Sequence, residues 1–466
     1  MTGLFGVIST GTCAKTLFLG ADYHSHLGTL FGGMAVLNDK GVINKKIHDI
    51  QQSQFKSKFY DEVAHLPGKW GIASINGNQP QPLVFNSRFG MFALSTTGLV
   101  TNKKELVEAL VLDGATFSES VDGEINTTEL VAKIIAKDDS VVAGISGLFS
   151  KIKGSLSLVL LNSDGIYAAV DHCGRFPLSI AEGDNGWAVA SETCAFPNLG
   201  FKIKKYVGPG EVVLIFPGGM KTLNGGNHTN GKICSFLWIY TGFPASSYDG
   251  VNAEVVRERC GASLAKNDKV CADMVSGVPD SGVAHAIGYA IQSGLPYRRP
   301  LVKYTPGYGR SYTPPTQEIR NQIALMKLIP NADIIAGKRI ILCEDSIVRG
   351  TQLKSYTIKK LYDNKAKEVH VRVACPPLMF PCIYNVSTKT IDELAARKAI
   401  ARLEGKKATD VTKKYLDPTT DEYKKMVENV RKDIGVTTLT YLGLNDMLDA
   451  IGLPKERLCT HCWNGE

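Results

Sequence analysis

The stretch RIILCEDSIVRGTQL, residues 339–353, is the most informative segment for the architecture of the second half of the chain. The run from Arg339 to Cys343 is typical of a buried strand, and the acids Glu344 and Asp345 follow at its end. Small and hydroxyl-bearing residues then lead into a helical pattern. A turn of this kind directs backbone N–H groups and the positive end of a helix dipole towards an anion. The stretch therefore predicts an α/β unit with a phosphate site.

The two acids at the strand end also need partners that stabilise their charge. Adjacent carboxylates beside a phosphate are costly unless they accept hydrogen bonds from sugar hydroxyls or face a hydrated magnesium ion. The alternative is an ordinary turn between strand and helix, with an Asp and a Ser as helix caps. The complete string favours the phosphate site over the alternative.

Neighbouring segments repeat the alternation of strand, loop and helix. CADMVSGVPDSGVAHAIGYAIQSG (271–294) has all three parts, and KEVHVRVACPP (367–377) is a further strand. Alternation of this kind predicts a parallel sheet whose ligand lies at the carboxyl ends of the strands. The charged residues 404–432 are predicted to form a solvated helical insertion.

The first half of the chain has a different pattern. Up to about residue 215 it consists of short apolar runs separated by turns, with two helical patterns between them, which predicts an α+β layered sandwich. The glycine-rich residues 217–231 are predicted to be a long turn or linker. We therefore expect two domains, at 1–232 and 233–466.

Composition narrows the class of protein. The chain has 466 residues, of which 53 are basic and 45 acidic, with no arginine-rich tract of the kind that binds nucleic acid. The mild basic excess suits a phosphorylated substrate. Eleven cysteines at irregular spacing argue against a secreted disulfide framework and favour a reducing compartment. No apolar run is long enough to span a bilayer, so we expect a cytoplasmic protein without a membrane or nucleic-acid partner.

The strand and loop at 339–353 resemble the 5-phosphoribosyl 1-pyrophosphate (PRPP) loop of type I phosphoribosyltransferases, in the form found in glutamine PRPP amidotransferases. VSGVPDSGVAHAIGYA (275–290) and GRSYTPPTQEIRNQIALMKL (309–328) resemble the family's pyrophosphate segment and closing segment. GSLSLVLLNSDGIYAAVDHCGRFPLSI (154–180) and VASETCAF (189–196) resemble its glutaminase domain. The resemblance implies an N-terminal Ntn-hydrolase-like αββα sandwich and a C-terminal phosphoribosyltransferase fold.

The resemblance also implies roles for individual residues in displacing pyrophosphate from PRPP. Glu344 and Asp345 would hold the ribose hydroxyls with Mg²⁺, although the family commonly has two aspartates there. Asp280 and Ser281 would lie beside the pyrophosphate, and Arg310 would screen its charge, with Lys303 and Arg320 as further candidates. The 5′-phosphate would be held by Ser346, Ile347, Val348, Arg349, Gly350 and Thr351.

Four of the cysteines match the ligands of the family members that carry a 4Fe–4S cluster. They are Cys234, Cys382, Cys459 and Cys462, the last two in the sequence LCTHCWNGE. A structural zinc site with four cysteines is the alternative. The proposed displacement needs no electron carrier, so we expect a structural or oxygen-sensing role for the cluster.

The second residue, Thr2, would present a hydroxyl beside a free α-amine if the initiator methionine is removed. Such an amine can act as general base to its own side chain. Family members that hydrolyse glutamine begin Cys-Gly-Ile, and Thr2 stands at the position of that cysteine.

The rest of the glutamine pocket also departs from the family. No arginine lies between Lys69 and Arg88, and we assign Ala73 to the segment that carries the substrate-binding arginine. Thr97 stands where the family has the asparagine of its oxyanion hole, and Thr127 where it has an aspartate. Because losing one oxyanion donor costs about 10²–10³-fold in rate, we expect that the glutaminase half-reaction is lost.

Three functions remain open from the sequence. The first is an amidophosphoribosyltransferase-like enzyme that uses free ammonia, ammonia from a partner protein, or another amine, assembled as a homo-oligomer (dimer or tetramer) with purine nucleotides as effectors. The second is a catalytically silent regulator that binds PRPP or nucleotides. The third is a Thr2-dependent amidohydrolase.

Overall fold

A computed structural model describes residues 2–226, 231–304, 326–385, 390–405 and 413–466. The chain divides into two compact units. The first comprises Met1–Cys234, Ala245–Asp249 and Ile383–Val386, and the second comprises Ser235–Pro244, Gly250–Cys382 and Ser387–Glu466. Across those described ranges, we find no helix that combines the length and the apolar character needed to cross a bilayer.

The first unit is built on two antiparallel sheets. Its strands are β1 (Thr2–Ser9), β2 (Phe31–Leu37), β3 (Ile43–Asp49), β4 (Trp70–Asn76), β5 (Leu83–Ser87), β6 (Gly90–Val100), β7 (Ser120–Val121), β8 (Glu124–Ile125), β9 (Gly154–Asn162), β10 (Gly165–Val170), β11 (Leu178–Gly183), β12 (Gly186–Ala190), β13 (Lys202–Val207), β14 (Glu211–Phe216), β15 (Gly219–Gly225), β16 (Ile233–Cys234) and β17 (Ser247–Tyr248). The two sheets have the orders β13-β11-β12-β1-β4-β2-β3 and β15-β14-β10-β9-β6-β5.

Helices cover the outer faces of both sheets. They are α1 (Ala14–Asp22), α2 (Phe55–Phe59), α3 (Lys103–Leu112), α4 (Thr127–Ile135) and α5 (Val141–Lys151), with short 3₁₀ turns at Glu62–His65, Thr193–Ala195 and Pro197–Leu199. One apolar cluster joins α1 and α2 to the seven-stranded sheet, a second fills the space between the sheets, and a third joins α4 and α5 to the six-stranded sheet. The central strands β1, β9 and β10 are buried at nearly every position, because each sheet packs on helices on one face and on the other sheet on its opposite face. The predicted αββα sandwich is confirmed.

The prediction of a long turn at residues 217–231 was wrong. Gly219–Gly225 forms the edge strand β15, which pairs with β14 through Phe216 and Gly219 at the turn. Edge strands tolerate polar and glycine residues because one side of the strand needs no partner. The glycine content therefore marked an edge strand and not a linker.

The second unit is built on a parallel sheet with the order β19-β22-β23-β24. Its strands are β18 (Val251–Asn252), β19 (Met274–Gly277), β20 (Leu301–Lys303), β21 (Leu328–Pro330), β22 (Arg339–Glu344), β23 (Glu368–Val373), β24 (Thr438–Tyr441) and β25 (Leu458–Cys459). Its α-helices are α6 (Ala253–Lys266), α7 (Val283–Ser293), α8 (Ala332–Ile335), α9 (Lys359–Asp363), α10 (Ala395–Glu404), α11 (Asp421–Ile434), α12 (Leu444–Ile451) and α13 (His461–Asn464). Shorter helical turns lie at Leu237–Thr241, Leu353–Ile358, Ile391–Glu393, Lys413–Tyr415 and Lys455–Arg457. The predicted parallel sheet is confirmed.

The charged stretch 404–432 contains a helical turn at Lys413–Tyr415 and helix α11 from Asp421, with a non-helical turn between them. Helix α11 begins at a Thr420 cap and buries Met426, Val430 and Ile434 along one face, which packs on α10. Its other faces carry the charges. Residues 406–412 lie outside the described residues.

Candidate functional site

The carboxyl ends of β19 and β22 lie side by side in the second unit. The amide of Val278 donates to the carbonyl of Cys343 at 3.0 Å, which holds the loop after β19 against the end of β22. Two glycines permit this approach, since a Cβ on Gly277 would lie 2.3 Å from the carbonyl oxygen of Gly282, and one on Gly282 would lie 2.4 Å from that of Cys343. The peptide bond between Pro279 and Asp280 in this loop is cis.

Glu344 and Asp345 occupy the strand end as predicted. Asp345 is buried, and it accepts hydrogen bonds from the hydroxyls of Ser281 and of Ser346, the latter at 2.7 Å. Burial raises the pKa of the Asp345 carboxyl above its usual range. The pKa of Glu344 is raised further, first by burial and then by the charge of Asp345. The structure thus brings Ser281 to the acidic pair.

One oxygen of this pair has no protein partner. Oε2 of Glu344 is buried and accepts no hydrogen bond from any residue that the structure describes. A buried carboxylate oxygen without a donor is costly to leave unsatisfied. It is therefore suited to a sugar hydroxyl or to a hydrated cation bridged to substrate phosphates.

A buried cation that was not predicted from the sequence lies near the acidic pair. Arg257 on α6 is 3% exposed, and its guanidinium donates to the carbonyls of Trp238 at 2.8 Å and Gly242 at 2.7 Å. Its charge lowers the pKa of Asp345, against the larger effect of burial. An arginine within an ordinary helical pattern carries no signal that it faces a site on another element.

The loop from Ser346 to Thr351 connects β22 to the helical turn at Leu353–Ile358. Gly350 has a φ of +75°, a left-handed conformation that favours glycine. The carbonyl of Val348 accepts a hydrogen bond from the amide of Ala395 at 2.8 Å, and Arg349 pairs with Glu393 at 2.6 Å. The loop is therefore held in place by residues just before and at the start of α10.

The other predicted pyrophosphate residues divide into two groups. Asp280 forms an ion pair with Lys303, so two predicted residues meet in the structure. Arg310 and Arg320, with most of the predicted closing segment 309–328, lie outside the described residues.

Thr2 lies at the start of β1 in the first unit and is buried. Its backbone N–H donates to Oγ1 of Thr97 at 3.2 Å, so two of the predicted pocket positions meet. In the antiparallel pairing of β1 with β4, Thr2 lies opposite Asn76 and Leu4 opposite Ser74. Residues that face each other across such a pair project from the same side of the sheet.

This register corrects the position of Ala73. Ala73 lies opposite Phe5, and both belong to the apolar cluster under α1 and α2, on the other side of the sheet from Thr2. Ser74 and Asn76 line the side of Thr2 instead. Oγ of Ser74, Nδ2 of Asn76 and Oγ of Ser95 are buried without a hydrogen-bond partner among the residues described.

Thr127 is the first residue of α4, whose N-terminus is capped by Asn126. The amide of Thr127 donates to Oε1 of Gln79 at 2.8 Å, and the amide of Gln79 lies 3.3 Å from Oδ1 of Asn76. Hydrogen bonds therefore connect Thr127 with the end of β4.

The four predicted cluster cysteines do not all belong to the same unit. Cys234 ends the first segment of the first unit, and Cys382, Cys459 and Cys462 belong to the second. Within the second unit, the amides of Met379 and Phe380 both donate to the carbonyl of Cys462, at 2.9 and 3.1 Å, which places the segment before Cys382 against the C-terminal turn. No group of three or more His, Cys, Asp or Glu side chains within the described ranges is arranged to hold a metal ion.

Known proteins resemble this chain both over part of the first unit and over its whole length. Residues 69–198 match a family described as the glutamine amidotransferase domain. The whole chain is 31% identical to the amidophosphoribosyltransferase of Methanocaldococcus jannaschii, of which it covers 97%, and 30% identical to that of Bacillus subtilis, of which it covers 93%. The solved structure of glutamine PRPP amidotransferase from B. subtilis, complexed with ADP and GMP, matches with a TM-score of 0.84 at 30% identity, over 100% of this chain and 96% of that one.

Proposed function

Because the chain belongs to the amidophosphoribosyltransferase family, we propose that it forms phosphoribosylamine from PRPP and ammonia, or a related product from another amine, in purine synthesis. The observation that carries the proposal is the buried, unpartnered Oε2 of Glu344, which lies at a strand end directly before the loop Ser346–Thr351. The site can offer acceptors to ribose hydroxyls on one side of the turn and a phosphate cradle on the other.

The reaction is a displacement at the anomeric carbon. The amine nitrogen forms a bond to C1 of the ribose as the bond from C1 to the pyrophosphate oxygen breaks, and the electron pair leaves with pyrophosphate. The surplus proton of the amine passes to solvent. Glu344 and Asp345 hold the ribose hydroxyls, and their negative charge stabilises the positive charge that develops on the ring. Magnesium, bound to the pyrophosphate, would supply neutralisation of the leaving group.

The glutaminase half-reaction is lost in this proposal. A threonine hydroxyl is a weaker nucleophile than a thiol and needs an intact pocket. Around Thr2 the described residues offer hydroxyls and an amide, and β4 carries no arginine that would pair with the carboxylate of glutamine. Ammonia would therefore come from solution or from a partner protein.

A 4Fe–4S cluster on Cys234, Cys382, Cys459 and Cys462 is a further part of the proposal. The support is the donor chemistry of four thiols and the backbone contact that brings the segment of Cys382 to Cys462. Protein purified anaerobically should contain iron and acid-labile sulfide, and should lose both in Cys459→Ser. A colourless protein loaded with zinc would contradict the cluster.

Assembly and effectors follow the same family relation. We propose a homo-oligomer, dimer or tetramer, whose activity responds to purine nucleotides; the relative complexed with ADP and GMP supports the nucleotide response. Mass measurement in solution and titration with ADP and GMP test both points.

The decisive experiment measures pyrophosphate release from PRPP and Mg²⁺ with ammonium, then glutamine, then other amines. Turnover with ammonium and none with glutamine is the expected result. Tight binding of PRPP without turnover on any amine would instead support a silent regulator. Turnover with glutamine that depends on Thr2 would contradict the loss of the first half-reaction.

A further inference from the structure

Cys375 lies directly after β23 and next to the acidic pair. The amide of Ala374 donates to the carbonyl of Glu344 at 2.9 Å, so the chain enters Cys375 beside the end of β22. The Cys375 side chain is fully buried. Burial first, and then the charge of Asp345, raise the pKa of this thiol well above its usual range. The thiol is therefore protonated at neutral pH and has an S–H that it can donate.

Trp463 approaches the same thiol from the C-terminal turn α13. Its side chain is 3% exposed, and its ring stacks on Phe236 with the centroids 5.1 Å apart. Nε1 of Trp463 is buried and has no hydrogen-bond partner at normal distance among the described residues. Its N–H nevertheless lies close enough to the sulfur of Cys375 to oppose the rise in the pKa of that thiol. The indole N–H is therefore directed towards Cys375.

Backbone hydrogen bonds hold these two side chains in the same region. The segment that begins at Cys375 continues to Met379 and Phe380, whose amides both donate to the carbonyl of Cys462, at 2.9 and 3.1 Å. Trp463 is the next residue after that carbonyl. The C-terminal turn is thus attached to the segment that starts beside the acidic pair.

The two neighbours of the thiol give it a defined orientation. A thiol is both a weak donor and a weak acceptor. When the sulfur of Cys375 accepts the indole N–H, its one S–H proton is left to donate towards the carboxylates of Glu344 and Asp345. Hydrogen bonds in series strengthen one another in a medium of low dielectric. Loss of the indole N–H would therefore loosen the acidic pair without altering either acid.

We propose that Trp463 is a positioning residue for the ribose site: its indole N–H holds the thiol of Cys375, and the thiol holds the acidic pair in the orientation that binds PRPP. The effect on PRPP rests on the proposed function of the acidic pair. The contact between indole and thiol does not.

NMR of the indole N–H groups of the full chain tests the contact without any substrate. The four tryptophans give at most four signals, and the signal that disappears in Trp463→Phe belongs to Trp463. In Cys375→Ala this signal should shift, while the other three stay in place. Cys271→Ala, which removes an exposed thiol of the same unit, should leave all four unchanged. An unshifted Trp463 signal in Cys375→Ala would overturn the contact.

Equilibrium binding of PRPP with Mg²⁺ tests the positioning role. We expect Trp463→Phe and Cys375→Ala each to raise the dissociation constant about threefold or more. The double variant should be no weaker than the weaker single variant by more than about twofold, because both changes remove the same path. Cys375→Ser, which keeps a donor, should stay within about twofold of the native protein. Asn464→Ala, which changes a side chain of the same turn that bonds Glu466, should bind like the native protein.

The outcomes separate the positioning role from the proposed function. Native affinity in Trp463→Phe, fully additive losses in the double variant, or equal losses in Cys375→Ser and Cys375→Ala would each overturn the positioning role. A native protein that does not bind PRPP would contradict the proposed function and the positioning role together. The NMR shift in Cys375→Ala would still decide the contact in that case.

Discussion

At the scale of single residues, the adjacent acids Glu344 and Asp345 show how a ligand site costs stability. Burial raises the pKa of both carboxyls, because the charged form of each loses favourable interactions with water. Asp345 is partly compensated by two serine hydroxyls, whereas Oε2 of Glu344 has no donor among the described residues. Ligand hydroxyls or a hydrated cation would supply the missing interactions.

Replacement of Asp345 by asparagine separates activity from stability. Asp345→Asn keeps the volume but removes the charge that stabilises the ring in the proposed mechanism, so we expect pyrophosphate release to fall by about 10²-fold or more. Because the buried charge is costly, the melting temperature should stay the same or rise. Release assays and thermal unfolding measure the two effects.

Asp363→Asn is the matched control for this change. Asp363 ends α9, is largely exposed and pairs with Lys359 on its own helix, so its loss should alter neither activity nor melting temperature measurably. A large loss of stability in Asp345→Asn, with activity reduced only in proportion to the folded fraction, would show that Asp345 has a purely structural role.

Thr2 gives the second residue-scale prediction. If it is only the former position of a nucleophile, Thr2→Ala should leave ammonium-dependent pyrophosphate release within about twofold of the native rate, and glutamine hydrolysis should be at background in both proteins. Thr10→Ala, at an exposed bend after β1, controls for changes near the N-terminus. Glutamate production that disappears in Thr2→Ala would refute the prediction.

At the scale of elements, sequence patterns predicted the strands and helices that are formed by consecutive residues. The run Arg339–Cys343, the alternation of strands and helices around it and the apolar strands of the first half all appear as elements. The errors concern pairing between distant segments. Strand β15 exists because it pairs with β14, and Ala73 faces away from Thr2 because of the register of β4 on β1. Neither fact is encoded within a window of neighbouring residues.

Likewise, Arg257 and Glu393 were not predicted, because each interacts with a residue of an element that is distant in the sequence. Arg257 lies within the ordinary helix α6, and only the packing of that helix brings its charge to Asp345. Glu393 contacts the loop Ser346–Thr351 through its ion pair with Arg349. The positions of the loop Ser346–Thr351 and of Ser281 near the acidic pair could be predicted because their residue types and order together resemble a known site, and their roles stay predictions.

The close contact of two strand ends is testable through Gly282. In Gly282→Ala the added Cβ would lie 2.4 Å from the carbonyl oxygen of Cys343, so the loop after β19 must move away from β22. We expect a loss of about 1–3 kcal/mol in the free energy of unfolding and weaker PRPP binding, because Ser281 moves with the loop. Gly11→Ala is the control, since its Cβ meets nothing within 4 Å. Native PRPP affinity in Gly282→Ala would show that the loop position does not matter.

At the scale of the whole molecule, the chain returns to the first unit after entering the second. The returning segment Ala245–Asp249 is held by Glu192, whose carboxylate accepts from Ser246 at 2.5 Å and from the phenol of Tyr248 at 2.9 Å, and lies 3.3 Å from Nε2 of His26. These partners hold the pKa of Glu192 below its usual range despite burial. A single carboxylate thus joins segments that are far apart in the chain.

His24, beside Glu192, makes the stability of this arrangement depend on pH. Its Nδ1 donates to the carbonyl of Gly20 at 2.8 Å and its Nε2 accepts from the amide of Glu192 at 3.2 Å, which requires a neutral ring. Burial lowers the pKa of His24 from 6.5 to about 4. Between these values only the unfolded chain takes up the proton, so stability falls as pH falls. We expect His24 to account for a loss of about 2 kcal/mol between pH 7 and pH 5.

Urea unfolding at both pH values, compared between the native protein and His24→Gln, isolates this contribution. The native protein should lose more stability on acidification than the variant, because glutamine has no proton to gain. His65→Gln, which removes an exposed histidine, should retain the native pH dependence. An equal loss in the native protein and in His24→Gln would mean that His24 does not couple the fold of the first unit to pH, and that other buried groups carry the dependence.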